Sequence, residues 1–100
     1  MSNLKLEITS TAICDIEKIA DYIALDNKSA ACKMVRLFHK TFKILSVHPQ
    51  LGRTREDFTY MDVKFYVVQK NYLVVYNQPN QTTLRILRVL PAYQDICALL

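Results

Sequence analysis

VKFYVVQKNYLVVYNQPNQTTLRILRVLP, residues 63–91, decides the fold. Apolar and polar side chains alternate through it with a period of two. β-Branched and aromatic residues dominate, and two short polar breaks punctuate it. The pattern predicts three strands, Val63–Gln69, Tyr72–Asn77 and Thr83–Leu90, which run as an antiparallel meander. Lys70-Asn71 supplies the first turn, with Asn71 as the residue able to take a positive φ, and QPNQT supplies the second. Pro91 ends the last strand. Ala92–Leu100 is expected to add a short helical tail.

Upstream the period lengthens from two to 3.6. Ile13, Ile16, Ala20, Ile23 and Ala24 recur at helical spacing, after Thr9, Ser10 and Thr11 offer oxygens to cap a helix start. This first helix is expected to end near Asp26-Asn27, with Ser29 capping a second. Ala31, Met34, Val35, Phe38, Phe42 and Leu45 form the apolar face of that second helix. Lys33, Arg36, Lys40 and Lys43 fall on the opposite face, and Pro49 closes the helix. The short connection makes the two helices an antiparallel hairpin. LKLEI, residues 4–8, alternates as an amphipathic strand. The expected architecture is α+β: an N-terminal strand, then a helix hairpin packed on one face of a small antiparallel sheet, in the order β-α-α-β-β-β.

The chain of 100 residues makes one domain, 1–100, with no linker or internal repeat. At 51% hydrophobic residues it can bury roughly 65% of its unfolded surface without staples. No apolar run approaches the roughly 18 residues of a membrane span, and MSNLKLEITS does not read as a secretory signal. The three cysteines, Cys14, Cys32 and Cys97, include no C-x-x-C pair. They point to a reducing, cytoplasmic setting and to small buried apolar roles.

The net charge of +4 is unevenly distributed. Asp15, Glu17, Asp21 and Asp26 face only Lys18. From Lys28 to Arg55 there are seven bases and no acid, which suits either nucleic acid or an acidic protein as partner. Phosphate-cradling motifs are absent in their usual forms, since Gly52 is the only glycine. His39 and His48 have no metal-spaced companions, and adjacent Glu56-Asp57 is a weak acid–base pair. No cofactor or metal is implied. Lys64, Tyr66, Tyr72, Tyr76, Arg85, Arg88 and Tyr93 combine bases with aromatics, as RNA contacts do. Tyr72 and Tyr76, in phase with Val74, equally suit core packing, whereas Lys64 and Tyr66 share a face expected to be exposed.

DIEKIADYIALDNKSAACKMV, then HPQLGRTRED, NYLVVY and LRILRVLPAYQDICALL, resemble the RelE/ParE family of bacterial toxins over roughly Leu4 to Leu100. The resemblance implies a small cytoplasmic toxin held inactive by a co-encoded acidic antitoxin, in a toxin–antitoxin hetero-oligomer. Lys33, Arg36, Lys40 and Lys43 would meet the antitoxin's acids.

Two activities occur in the family. RelE-type members cleave mRNA on the ribosome with a basic and aromatic cluster, for which this chain could field Lys64, Tyr66, Arg88 and Tyr93. Leu73 stands where those enzymes place a key arginine. ParE-type members poison DNA gyrase and are not enzymes, and the hairpin and the P-x-L-G-R-x-R loop resemble that branch more closely. A relative that only binds antitoxin is the third reading. Within the loop, Gly52 is expected to supply a turn closed to other residues. Arg53 and Arg55 would pair with acids such as Glu56 or Asp57, or contact antitoxin or gyrase together with Tyr93.

Overall fold

The computed structural model describes residues 4–53 and 63–91. In chain order these form β1 (Lys5–Ile8), α1 (Ser10–Ala24), α2 (Lys28–Val47), a 3-10 turn (Pro49–Leu51), β2 (Lys64–Val68), β3 (Tyr72–Asn80) and β4 (Thr83–Pro91). The four strands lie in the order β1-β4-β3-β2. β2, β3 and β4 make the expected antiparallel meander. β1 adds to the edge of β4 in parallel, Lys5 beside Thr83 and Ile8 beside Ile86, so the sheet is mixed rather than purely antiparallel. Chain direction requires this. The hairpin carries the chain back to the end at which β1 starts, where the Leu4 amide donates to the Ser46 carbonyl at 3.0 Å, so β2 runs in the direction of β1 and, two reversals later, so does β4. The helical tail expected over 92–100 lies outside the described residues.

Several boundaries differ from expectation for local reasons. Thr9 caps α1: its Oγ1 accepts from the Ala12 amide at 3.2 Å and donates to the Ile86 carbonyl at 2.9 Å. One hydroxyl thus starts the helix and ties it to β4. α1 ends at Ala24, not at Asp26-Asn27, and the amides of residues 25–27 turn back to the carbonyls of Tyr22 and Ile23. Asn27, rather than Ser29, caps α2, its Oδ1 accepting from the Ala30 amide at 3.0 Å. In the β2–β3 turn the positive φ values fall on Gln69 (52°) and Lys70 (64°), not on Asn71. Both central residues are left-handed, the pattern of the tight hairpin turns that match strand twist. β3 runs on to Asn80 past Pro79, and Asn80 Oδ1 then accepts from the Thr82 amide and hydroxyl. Cys14 and Cys32 are exposed rather than buried, because each sits on the solvent side of its helix.

The core lies between hairpin and sheet. Ala12, Ile16, Ile19, Phe38, Phe42 and Leu45 from the helices meet Val68, Val74, Tyr76, Leu84, Ile86 and Val89 from the strands. Tyr66 and Tyr72 pack against the same cluster, and Phe38 meets the Tyr72 ring edge-on at 5.5 Å. By strand alternation Val63, Phe65, Leu73, Val75 and Leu90 turn to the other face and form a second apolar cluster. β4 needs a correction of phase to serve both faces. Val75 pairs with Arg88 and Tyr76 with Ile86, so Leu87 is the extra residue of a bulge. The bulge returns Val89 to the helix side three residues after Ile86.

At this bulge Arg88 reaches α1. Its Nε donates to Asp15 Oδ2 at 2.7 Å and its Nη2 to Oδ1 at 3.1 Å, and the Val89 amide donates to Oδ2 at 3.0 Å. The hydrogen bonds to Asp15 raise the Arg88 pKa further above its ordinary range. Asp15→Ala takes the carboxylate from the partly buried Arg88 guanidinium and the acceptor from the buried Val89 amide. It should cost about 3 kcal/mol in urea unfolding, toward the low end for one-sided loss of a buried pair. Asp15→Asn should cost less, because an amide oxygen can still accept from Val89. Equal losses for the two variants would show that the carboxylate's geometry contributes nothing.

Candidate functional site

The loop that follows α2 is built on Tyr76. This residue sits in β3 facing the helices, almost fully buried, and its hydroxyl has two partners from a distant segment. It donates to the Pro49 carbonyl at 2.7 Å and accepts from the Gly52 amide at 2.7 Å. A single side chain therefore closes the 3-10 turn at both ends. Gly52 has φ −71° and ψ 160°, a conformation open to any residue, so the expected conformational reason for glycine does not apply. The reason is space: a Cβ there would lie only 2.6 Å from Cε1 and Cζ of the Tyr76 ring. Burial pushes the Tyr76 phenol above its ordinary value of 10.0, opposed by the hydrogen bond from Gly52 and assisted by nearby Tyr66.

Arg53 follows directly. Its amide donates to the Phe65 carbonyl and its carbonyl accepts from the Phe65 amide, both at 2.8 Å, which pins the loop to the outer edge of β2. The Arg53 side chain is exposed and forms no ion pair among the described residues. Arg55, Glu56, Asp57, Tyr93 and Cys97 lie outside the described residues.

Among the described residues, the bases and tyrosines do not form the single exposed cluster that RNA contacts would need. Lys64 is half-buried opposite Tyr76 and borders a cleft of about 400 Å³ with Pro49, Asn77 and Asn80. Tyr66, expected to be exposed, packs instead against the main core. Arg85 pairs with Glu7 across β1–β4, and Arg88 is bound to Asp15. Leu73, only 5% exposed, belongs to the outer apolar cluster.

Lys33, Arg36, Lys40 and Lys43 are all exposed on α2, a helix of 20 residues without a single acid, and none forms an ion pair among the described residues. The residues that sequence reasoning missed are Asp15 and, as a loop anchor, Tyr76. Asp15 carried a signal, since it lies three after Ala12 and four before Ile19, both core positions. Among the described residues no His, Cys, Asp or Glu cluster could hold a metal, and no helix is long and apolar enough to cross a membrane.

The chain matches the family described as "ParE toxin of type II toxin-antitoxin system, parDE" over residues 6–96, and it belongs to that family. Its fold is similar to the structure titled "Chromosomal ParDE TA system from P. aeruginosa". The TM-score is 0.73 at 24% identity, covering 88% of this chain and 95% of that one. It is also similar to a chain of the RelBE2 toxin–antitoxin complex from Mycobacterium tuberculosis. There the TM-score is 0.59 at 22% identity, covering 90% and 99%. No curated protein matches the chain.

Tyr76→Phe removes the donor to Pro49 and the acceptor for Gly52, and should cost about 1–3 kcal/mol at neutral pH. The sign of its pH effect follows from the raised pKa. The native state holds the phenol proton more tightly than the unfolded chain, so stability is full below pH 10.0 and falls as pH rises beyond it. Urea unfolding against pH should therefore show a steeper alkaline loss in the parent than in Tyr76→Phe. Parallel curves would exclude Tyr76 as the titrating group.

Proposed function

We propose that this toxin acts by protein–protein binding to DNA gyrase, stabilising the cleaved-DNA state, and that a cognate acidic antitoxin neutralises it in the cytoplasm. One observation carries the choice against ribonuclease chemistry. Arg88 of β4 is bound bidentate to Asp15, while Leu73 is an apolar residue packed in a cluster. RNA cleavage requires a base for the 2′-hydroxyl and a donor or cation for the departing 5′-oxygen, within reach of one phosphate. Lys64, Tyr66 and Arg88 lie apart in role, one bordering a cleft, one packed on the core and one in an ion pair.

A poison needs presented surface rather than a reacting constellation. Arg53, held at the sheet edge by backbone bonds, is presented in this way, and Arg55 and Tyr93 are the other residues proposed to contact the target. Lys33, Arg36, Lys40 and Lys43 offer the antitoxin a ridge to meet with acids. Both solved relatives named above come from toxin–antitoxin complexes, which supports an antitoxin as partner.

Antitoxin-free protein titrated into a gyrase supercoiling reaction should inhibit it and accumulate cleaved DNA at near-stoichiometric amounts. Folded protein without effect on gyrase, but able to cut mRNA on ribosomes and losing that ability on Lys64→Ala, would reverse the assignment. Inactivity in both assays would leave a protein that only binds antitoxin. For the antitoxin, reversing the charge of all four ridge bases should weaken binding at low salt by about tenfold or more. Unchanged affinity would place the antitoxin elsewhere.

A further inference from the structure

We infer that the free toxin self-associates through its helix hairpin as a symmetric dimer, in which the acidic rim of each copy meets the basic ridge of the other. This goes beyond the gyrase reading and does not depend on it. The contact surface is the groove between α1 and α2, a cleft of about 640 Å³ with a floor of Ile8, Ile13, Ile16, Ala20 and Val35. Ile13 is 47% exposed in it, an unusual setting for a large aliphatic side chain on a helix whose other isoleucines are more covered. Glu17 and Asp21, one helical turn apart, line the α1 rim. His39 lines the α2 wall, three residues after Arg36 and four before Lys43, so the basic ridge runs just beyond it.

The surface is therefore dipolar across the groove: acids, an apolar floor, then bases. Glu17 and Asp21 are exposed and form no ion pair among the described residues, and the same holds for the four bases. Each helix thus presents charge that its own neighbour leaves unmatched. This pattern is self-complementary under one symmetry operation. A two-fold axis running along the groove carries the acidic rim of one copy onto the basic ridge of the other, twice over, and brings the two apolar floors together. A two-fold axis across the groove would set acid against acid, so the charges select the first.

Rotation about the groove direction also preserves level along the helices. The cleft places Glu17 beside Val35 and His39 within one chain. In the dimer Glu17 and Asp21 therefore lie level with Lys33, Arg36 and Lys40 of the second copy, and α1 runs antiparallel to that copy's α2. The net charge of +4 opposes association at long range. At about 0.1 M salt the screening length is about 10 Å, so the adjacent opposite charges outweigh the distant like ones. The same ridge cannot serve an acidic antitoxin and a second toxin at once, so antitoxin binding would dissociate the dimer.

Sedimentation equilibrium of the antitoxin-free chain should show a monomer–dimer equilibrium with Kd on the order of 10–100 μM, as expected for a small interface. Raising salt from about 0.1 M to about 1 M, where screening reaches about 3 Å, should weaken it about tenfold. Glu17→Lys/Asp21→Lys and Lys33→Glu/Arg36→Glu, each shown folded by circular dichroism, should be monomeric alone and form a heterodimer when mixed. A parent chain that stays monomeric through this concentration range overturns the inference. So does a dimer insensitive to salt, or a pair of folded variants that fail to associate on mixing. The salt series on the parent chain decides the matter even if a variant does not fold.

Discussion

The carboxylate of Asp15 is the point on which helix and sheet agree. It accepts from Arg88 and from the Val89 amide, and it does so at the bulge where β4 changes phase. A bulge leaves backbone groups out of the ladder, and a buried amide without a partner would cost free energy comparable to a lost hydrogen bond. Asp15 supplies that partner from α1 and satisfies Arg88 in the same act. Thr9 does something similar at the start of the helix, its hydroxyl donating to Ile86 while capping α1. Together they fix how α1 lies on β4, and through β4 both β1 and β3 are positioned.

Tyr76 performs the corresponding task for the other end of the hairpin. Its ring fills the core while its hydroxyl organises the turn after α2, so the chain leading to Arg53 is tied to β3. The absent side chain at Gly52 is the other half of this contact, because the ring occupies the volume a Cβ would need. A short chain without disulfides among its described cysteines thus anchors the turn after α2 by one buried phenol instead of by a covalent staple.

Period and punctuation were enough to read the fold from the sequence. The switch from a 3.6-residue to a 2-residue repeat separates hairpin from meander, and Tyr72 and Tyr76 do face the helices in phase with Val74. What was illegible depends on contacts between distant residues. Alternation alone cannot reveal the Leu87 bulge, nor that β1 would pair in parallel with β4. Cap choice between Asn27 and Ser29 turns on how tightly the connection closes. Gly52 read as a conformational glycine because its tyrosine neighbour is 24 residues away. Arg88 read as a surface cation because its acid is 73 residues away.

The same distinction bears on the candidate site. A list of lysines, arginines and tyrosines along three strands can be read as an RNA surface only while their side chains are imagined free. Strand alternation sends Tyr66, Tyr72 and Tyr76 to the helix side, and the bulge sends Arg88 to Asp15. Among the described residues, the charges without an ion pair include four exposed bases on α2 and Glu17 and Asp21 on α1. Free charge on an exposed helix face adds little to folding stability but strongly affects encounter and partner choice. The distribution therefore separates the two tasks of this small domain. Arg85, Arg88 and Tyr76 of the sheet are engaged in holding the fold, whereas these helix charges are left exposed.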